Sequence, residues 1–346
     1  MEIWLNRRDR VLMSLEFKEP DIVPITELDI DPPHMEAITG MKYLVSLDEL
    51  GLGGETVDKR DVEVKIACYE KLGMDMITER TYAPADYKTP VNPDGTITDE
   101  WGTVYRYDSK SRWWVWVRGA YKSFDDFADR ELPDAHSPGR LRRLECMARL
   151  VDGRMALAGM TRSPFNIIWE SLGSVNFFRA LHAQPNRFRQ LVEKITEFNI
   201  DLMKMMVETG VDVILNIGDY AEVNGPIVQP SYFKEIMLPN LRRETEAANR
   251  MSVKLIKHTD GNLTRILPEL ADAVNGLHSI DPSASMRISQ IKQKYGDRLI
   301  LVGNVNASET LCRKGREDVV REVQGCIREA AKGGGYILSS SNTWYA

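Results

Sequence analysis

The sequence predicts an α/β fold, most simply a (β/α)8 barrel of the TIM type. Eight short apolar runs recur along the chain, and amphipathic stretches of helical length separate most of them. No glycine-rich phosphate-binding loop follows the first run, which argues against the alternative, a doubly wound sheet. We expect residues 1–346 to form a single domain.

The predicted strands are short and mostly apolar, and lie at residues 22–25, 74–77, 155–158, 211–217, 253–258, 276–280, 299–302 and 336–338. Helices are predicted over residues 7–15, 62–71, about 20 residues ending at Gly210, 230–249, 263–271, 286–295 and 317–331. The helix that should follow the last strand is absent from the sequence. Either the chain is truncated, or a neighbouring subunit of a homo-oligomer or the N-terminal helix covers that side.

A long insertion, residues 80–150, separates the second and third predicted strands. Two β-like runs, 96–107 and 112–118, flank a polar turn and predict a hairpin. Alternation places Trp114 and Trp116 on one face of this hairpin, with Trp113 and Val115 on the other. One face could pack on the barrel and the other shape a substrate mouth, so we consider Trp114 and Trp116 as substrate-binding residues beside the alternative that all the tryptophans pack.

Composition narrows the function classes. The chain carries 45 Lys and Arg against 51 Asp and Glu, a net charge of −6, so we expect no nucleic-acid partner. No apolar run has the length of a membrane span, and no secretion signal begins the sequence. The four cysteines show neither a CxxC motif nor a disulfide-framework spacing, which predicts a reduced, cytoplasmic protein.

Active sites of (β/α)8 barrels lie at the C-terminal ends of the strands. The polar residues predicted there as substrate-binding groups are Glu27, Arg162, Asn216, Asp281 and Asn304. The cysteines and the other histidines show no metal-like cluster, and His278, in the middle of a predicted strand, is expected to pack in the barrel wall.

The segment His258-Thr259-Asp260-Gly261-Asn262 is the most informative. Side chains two residues apart in an extended segment point the same way, so His258 and Asp260 should converge at the barrel mouth. An imidazole and a carboxylate suit Zn²⁺ if a third ligand comes from elsewhere, and a hydrogen-bonded His–Asp pair is the alternative.

Two carboxylates three residues apart follow the fourth predicted strand. Asp219 and Glu222 share a face if their loop contains a helical turn. Either could then supply a metal ligand or a general acid or base, and a solvated loop is the alternative. We therefore predict Asp219, Glu222, His258 and Asp260 as catalytic residues, with His258, Asp260 and Glu222 as metal ligands.

Several dispersed motifs resemble the uroporphyrinogen decarboxylase-like superfamily of (β/α)8 barrels over nearly the whole chain. They are Arg10-Val11 with Glu19-Pro20-Asp21-Ile22-Val23-Pro24, Asp99-Glu100-Trp101-Gly102, His258 to Asn262, Ile280-Asp281-Pro282-Ser283, Gly303-Asn304, and Gly333 to Ser339. The resemblance implies one of two chemistries: metal-free decarboxylation of uroporphyrinogen, or cobalamin-dependent methyl transfer that usually uses zinc.

Departures from the family patterns favour the methyltransferase branch. The decarboxylases carry an Arg-rich Met-Arg-Gln-Ala-Gly-Arg segment after the first strand, whereas this chain has the acidic residues 26–31, which would repel a substrate with eight carboxylates. Coenzyme M methyltransferases hold zinc with His-x-Cys and a later Cys. Here His258 matches the histidine, but Asp260 and residues 339–341 stand where the cysteines would be.

An oxygen-rich site of this kind resembles better the O-demethylase methyltransferases, which pass the methyl group of a methyl ether to a Co(I) corrinoid protein. No convincing corrinoid-binding Asp-x-His-x-x-Gly segment occurs in the chain, so the resemblance implies a corrinoid carried by a partner protein. The alternatives are a decarboxylase variant and a non-catalytic protein that binds a small molecule or corrinoid on the same scaffold.

Overall fold

The computed structural model describes residues 5–43 and 59–345. Its strands, in chain order, are β1 (Met76–Arg80), β2 (Ile97–Thr98), β3 (Thr103–Asp108), β4 (Trp113–Gly119), β5 (Ala156–Arg162), β6 (Val213–Ile217), β7 (Ala221–Glu222), β8 (Gly225–Pro226), β9 (Lys254–Thr259), β10 (Gly276–Ser279), β11 (Ile300–Val305) and β12 (Tyr336–Ser340).

The helices are α1 (Arg7–Leu15), α2 (Pro32–Thr39), α3 (Lys59–Leu72), α4 (Phe124–Ala128), α5 (Arg142–Val151), α6 (Pro164–Ala183), α7 (Pro185–Glu208), α8 (Pro230–Tyr232), α9 (Leu238–Arg250), α10 (Leu267–Ala271), α11 (Ile288–Tyr295) and α12 (Arg316–Ala330). Short π-helical or 3₁₀ segments cover Phe233–Met237, Pro282–Ala284 and Ala307–Leu311. None of the helices in the described ranges combines the length and apolarity needed to cross a membrane.

Seven parallel strands form one curled sheet in the order β1-β5-β6-β9-β10-β11-β12. Ile25 closes it: this residue forms a parallel bridge with Leu338 of β12, and its carbonyl oxygen accepts the amide of Asp75 just before β1, at 2.8 Å. The (β/α)8 architecture predicted from the sequence is therefore confirmed. Its first strand is reduced from the predicted 22–25 to this single bridge, because Pro24 has no N–H to give to a ladder and Ile22 is exposed.

The other main differences concern the helices. The predicted helix 263–271 begins only at α10, and the prediction did not include α2, α4, α5 or α6. Helix α6 begins where the Ser163 hydroxyl accepts the amide of Asn166, with Pro164 in the first turn. It escapes a periodicity search because Gly173 (φ 71°) interrupts it and because apolar residues occur on several of its faces.

The insertion contains the predicted hairpin. Strands β3 and β4 pair antiparallel, and β2 adds a third short strand. The hairpin packs on α6, where Gly119 lies so close to the backbone of Ser171 that a Cβ would approach its carbonyl oxygen to 2.1 Å. This contact fixes the position of the tryptophans of β4 relative to the barrel.

Two apolar layers hold the barrel together. The outer core lies between the strands and the surrounding helices, and the inner core fills the barrel. Val11 and Leu15 of α1 join the inner core at the N-terminal ends of the strands, beside Met76 and Ala156. Helix α1 therefore plugs the bottom of the barrel, whereas residues 341–345 follow β12 as a non-helical segment at the opposite end, where the Trp344 amide donates to the Asp29 carbonyl oxygen.

Candidate active site

A cavity of about 410 Å³ opens at the C-terminal ends of the barrel strands. Its wall combines aromatic rings from the hairpin and the C-terminal segment with charged groups from the strand ends and α6. The lining residues are Leu28, Asp29, Arg80, Thr81, Tyr105, Trp113, Trp114, Met160, Arg162, Asn166, Glu170, Ile217, Gly218, Asp219, His258, Asp260, Asn342, Thr343 and Tyr345.

His258, near the end of β9, is a buried side chain at the base of this cavity. Its Nδ1 lies 2.7 Å from Nδ1 of His278 on the neighbouring strand β10. Its Nε2 lies 4.0 Å from Oδ1 of Asp260, too far for a hydrogen bond. One nitrogen of His258 is thus held by the protein, while the other faces the cavity carboxylates.

Asp260 is held from two sides. Its backbone amide donates to Oδ1 of Asp219 at 2.7 Å, and the side-chain amide of Asn342 donates to its Oδ2. Its other oxygen, Oδ1, is buried and has no hydrogen-bond partner at ordinary distance among the described residues, although the Ser279 hydroxyl lies close to this carboxyl group. Burial raises the pKa of Asp260 to about 6; His258 opposes this shift and Asp219 adds to it.

The turn after Asp260 requires glycine. Gly261 has φ +84°, and a Cβ there would lie 2.6 Å from the backbone of Ala221 in β7. Its amide donates to Oδ2 of Asp281 at 3.3 Å, and Asp281 also caps the following 3₁₀ turn through the Ser283 amide. Asp281 therefore shapes the loop that carries Asp260, and is not among the residues that line the cavity.

Asp219, His258 and Asp260 could hold a metal ion. Each offers one ligand atom, and the three atoms lie within 4.8 Å of one another, the one such group of three or more in the described ranges. One nitrogen and two carboxylate oxygens form a donor set that suits Zn²⁺ or a similar divalent ion. A cation would also pair the buried, unpartnered Oδ1 of Asp260, so the residues present fit a metal.

Glu222, expected as the third ligand, stands apart from this group. The loop after β6 forms the small β7–β8 ladder instead of a helical turn, and this leaves the Glu222 side chain exposed and outside the cavity. Asp219 takes the place in the metal group that the sequence assigned to Glu222.

Two expected substrate-binding residues face the helix layer instead of the cavity. Asn216 is fully buried, where it accepts from Nζ of Lys257 at 2.8 Å and donates to Oε2 of Glu244 at 3.1 Å. Asn304 donates to the Ile280 carbonyl oxygen at 2.8 Å. Both lie on strands that are buried on two faces, and neither is among the residues that line the cavity.

Of the remaining predicted substrate-binding residues, some line the cavity and others do not. Arg162 and Trp114 line the cavity. Glu27 lies below it inside the barrel, where its carboxylate accepts the Ser340 amide at 3.1 Å and burial raises its pKa to about 7. Trp116 is outside the lining and donates its indole N–H to the Glu170 carbonyl oxygen at 3.0 Å, which ties β4 to α6.

Arg162 is fixed by the insertion. Its Nη1 donates to Oδ2 of Asp99 at 2.9 Å, and its Nη2 to the carboxylate of Glu170 on α6. Burial raises the pKa of Glu170, while Arg162 opposes this shift. Asp99 belongs to the Asp99-Glu100-Trp101-Gly102 motif, whose next residue, Glu100, pairs with the buried Arg140 at 2.6 Å.

Several cavity residues escaped the sequence analysis. Arg80 ends β1, three residues beyond the predicted strand, where its Nη2 contacts Oδ2 of Asp29 at 2.7 Å and its guanidinium lies 5.7 Å from the Trp113 ring centre. Glu170 projects from the unpredicted α6. Tyr345, whose ring meets Trp113 edge-on at 5.3 Å, belongs to the segment after β12. The position of Arg80 close to a predicted strand end could have identified it as a site residue. No feature of the sequence predicts that the C-terminal segment approaches the cavity.

Comparisons with known proteins agree with this architecture. Several curated uroporphyrinogen decarboxylases are similar to the chain. That of Syntrophotalea carbinolica is 25% identical over 214 residues, 60% of this chain and 60% of the relative, so the match spans less than two thirds of that protein. That of Geotalea uraniireducens is 22% identical over 287 residues, 80% of this chain and 77% of the relative.

Solved structures show the same fold. A methyltransferase from Methanosarcina mazei superposes with a TM-score of 0.71 at 18% identity, covering 99% of this chain and 94% of that one. A B12-independent methionine synthase from Shewanella sp. W3-18-1 gives 0.55 at 11% identity, covering 93% and 91%. The family model described as uroporphyrinogen decarboxylase (URO-D) matches residues 116–343, well over half of the sequence. The resemblance seen in the motifs is thus confirmed, and the chain belongs to the uroporphyrinogen decarboxylase (URO-D) family.

Proposed function

We propose that this protein is a methyltransferase that moves the methyl group of a small methylated substrate, such as a methyl ether, to the Co(I) corrinoid of a partner protein. The observation that carries the proposal is the Asp219–His258–Asp260 group, with its unpartnered oxygen, at the base of an aromatic-walled cavity. The fold shared with a methyltransferase supports it. We extend the proposal to a cytoplasmic setting, which the free cysteines Cys68, Cys146, Cys312 and Cys326 support.

The charges of the cavity wall support a neutral substrate. Four carboxylates line it, from Asp29, Glu170, Asp219 and Asp260, against two guanidinium groups that already contact carboxylates. A divalent cation in the Asp219–His258–Asp260 group would bring the formal charge of the lining close to zero. A multiply anionic porphyrinogen would meet uncompensated carboxylates, so the decarboxylase activity named for the curated relatives is the weaker candidate.

In the proposed reaction, the metal and the protein side chains have different roles. A bound Zn²⁺ would act as a Lewis acid that stabilises negative charge on the leaving oxygen. Trp113 and Trp114 would hold the apolar part of the substrate, and Asn342 orients Asp260. Glu170, a cavity carboxyl outside the metal group with a raised pKa, can deliver a proton.

Atoms and charge balance in this scheme. The methyl–oxygen bond breaks with its electron pair going to the oxygen, which takes the proton. The methyl carbon passes to the reduced cobalt of the partner's corrinoid, whose own electron pair forms the new bond. The product is the corresponding alcohol or phenol.

Metal analysis and a methyl-transfer assay test the proposal together. Metal content is measured by mass spectrometry after zinc loading, and turnover is followed as loss of cob(I)alamin absorbance with a panel of methyl ethers. We expect about one zinc per chain and zinc-dependent demethylation in the wild type, and neither in His258→Ala or Asp260→Asn.

Glu222→Gln is the matched control, because it removes an exposed carboxylate that lies outside the cavity on the loop after β6, and it should retain both properties. Decarboxylation of uroporphyrinogen by metal-free protein would contradict the proposal. So would full methyl transfer in both His258→Ala and Asp260→Asn.

A further inference from the structure

A chain of buried polar side chains runs inside the barrel below the cavity. Nδ1 of His258 contacts Nδ1 of His278 at 2.7 Å, Nε2 of His278 contacts the Ser339 hydroxyl at 3.3 Å, and that hydroxyl contacts Oε2 of Glu27 at 3.4 Å. The four residues come from β9, β10, β12 and the segment after Ile25, and every one is at most 7% exposed. This chain links the proposed metal ligand to the opposite side of the barrel.

The contacts between these four side chains determine which atom donates the proton in each hydrogen bond. Ser339 has one hydroxyl proton, and Glu27 retains acceptor capacity whether or not its carboxyl is ionised. When Ser339 donates to Glu27, its oxygen is left to accept the Nε2–H of His278. Neutral His278 then has a lone pair on Nδ1 and accepts the Nδ1–H of His258. The proton of His258 is thereby placed on the nitrogen that faces away from the cavity.

Of the neighbouring groups, Ser340 takes part in this arrangement: its backbone hydrogen-bonds the His278 ring, and its hydroxyl donates to Oε2 of Glu27. Thr26 and Thr78 share the small interior space with His278, and their hydroxyls donate to backbone carbonyl oxygens of Met76 and Leu28, at 2.9 and 2.7 Å. The remaining lining of that space includes the apolar side chains of Leu215, Ile256 and Val302. The reverse arrangement would put the His258 proton on Nε2, where the nearest carboxylate oxygen of Asp260 is 4.0 Å away.

We propose that His278 is a positioning residue that, with Ser339 and Glu27, holds His258 in its Nδ1-protonated form and so directs the Nε2 lone pair toward Asp219 and Asp260. Metal-bound histidines generally donate their other ring N–H to a fixed acceptor, which sets both tautomer and ring orientation. Here a second histidine takes the place of the usual carboxylate or carbonyl. This inference rests on the proposed function only in that His258 is a metal ligand.

Ring ¹⁵N NMR of the metal-free protein tests the tautomer directly, and Co²⁺ titration followed by visible absorption tests its consequence. In the wild type we expect His258 to carry its proton on Nδ1. In His278→Phe, which keeps a ring but removes the acceptor, that signature should be lost and the Kd for Co²⁺ should rise roughly 10- to 100-fold. A purely structural role of His278 would not change the tautomer of His258.

His182→Phe is the matched control, because His182 is an exposed histidine bonded to Tyr232, away from the cavity, and should leave both readouts unchanged. If His278→Phe does not fold, Ser339→Ala is used instead. Loss of the hydroxyl removes the acceptor for the Nε2–H of His278, so His258 should then be a mixture of tautomers. An Nε2-protonated His258 in the wild type, or unchanged spectra and Kd in a folded His278→Phe, would overturn the inference. Wild type that binds neither Co²⁺ nor Zn²⁺ while His258 is Nδ1-protonated would instead count against the proposed function alone.

Discussion

At the scale of single residues, the cavity separates two tasks that carboxylates can perform. Candidate ligand atoms of Asp219, His258 and Asp260 lie within 4.8 Å of one another, whereas Glu170 approaches from α6 and pairs with Arg162. A carboxyl group that is buried but outside the metal group can keep a proton to give to a leaving oxygen. The proposed reaction should therefore depend more strongly on Glu170 when the leaving oxygen is more basic.

We predict that Glu170→Gln slows demethylation of ethers with basic leaving groups by roughly 10²- to 10⁴-fold in kcat, the usual range for a general acid. Methyl 4-nitrophenyl ether should lose less than about tenfold, because 4-nitrophenoxide leaves without a proton. The measurement is kcat for a series of substituted methyl phenyl ethers. An equal loss across the series would show that Glu170 positions Arg162 or the substrate instead.

Glu27 gives a second prediction at this scale, concerning stability. Burial raises its pKa from 4.5 to about 7, so the folded protein holds a proton that the unfolded chain releases above pH 4.5. The stabilisation is complete below that pH and is lost as the pH rises through 7, a change of about 3 kcal/mol in the free energy of unfolding.

Glu27→Gln should remove this contribution, because the amide does not titrate. Urea unfolding at pH 4.5, 5.5, 6.5 and 7.5 measures it as the difference between variant and wild type. The variant should gain stability relative to the wild type as the pH increases. A constant difference would mean that the carboxyl of Glu27 keeps an ordinary pKa in the folded protein.

At the scale of elements, strand β4 of the inserted hairpin supplies the two tryptophans of the cavity wall. Trp113 meets Tyr345 edge-on and lies under the guanidinium of Arg80, so it is held on two sides. We predict that Trp113→Leu raises KM for a methyl phenyl ether about tenfold, since loss of an aromatic contact is worth roughly 1.4 kcal/mol.

Val115→Ala is the matched control, because Val115 is half exposed on the same strand and should leave KM unchanged. KM is measured at a fixed concentration of cob(I)alamin, and a thermal melt checks that both variants fold. An unchanged KM in folded Trp113→Leu would mean that the hairpin packs against the barrel without contacting substrate.

How much of the site the sequence predicts depends on the element that carries each residue. The spacing of His258 and Asp260 placed them together because an extended segment has a fixed repeat. Asn216 and Asn304 could not be placed in this way, since a parallel strand buried on both faces gives no sign of which side points inward. Which of Asp219 and Glu222 faces the cavity depends on the shape of the loop that carries both. This loop forms a short β-ladder where a helical turn was expected.

At the scale of the whole molecule, the barrel divides into a reactive end and a stabilising end. Arg8 and Arg10 of α1 pair with Asp212 and Asp75 just before β6 and β1, and Asp75 also accepts the amide of Ile25, whose bridge closes the sheet. The cavity lies at the other end. Substitutions in α1 should therefore change stability without changing the chemistry.

Leu15 tests this division, because its buried side chain belongs to the inner core at the bottom of the barrel. We predict that Leu15→Ala lowers the free energy of unfolding by about 2–5 kcal/mol, the range for a buried leucine that leaves a cavity. The exposed Ile22→Ala, from the nearby segment that precedes Ile25, should cost less than about 0.5 kcal/mol. Urea unfolding measures both, and the Kd for Co²⁺ of the folded Leu15→Ala protein should equal that of the wild type. A weaker affinity for the metal would show that α1 and the cavity are coupled through the inner core and that the two ends of the barrel do not act independently.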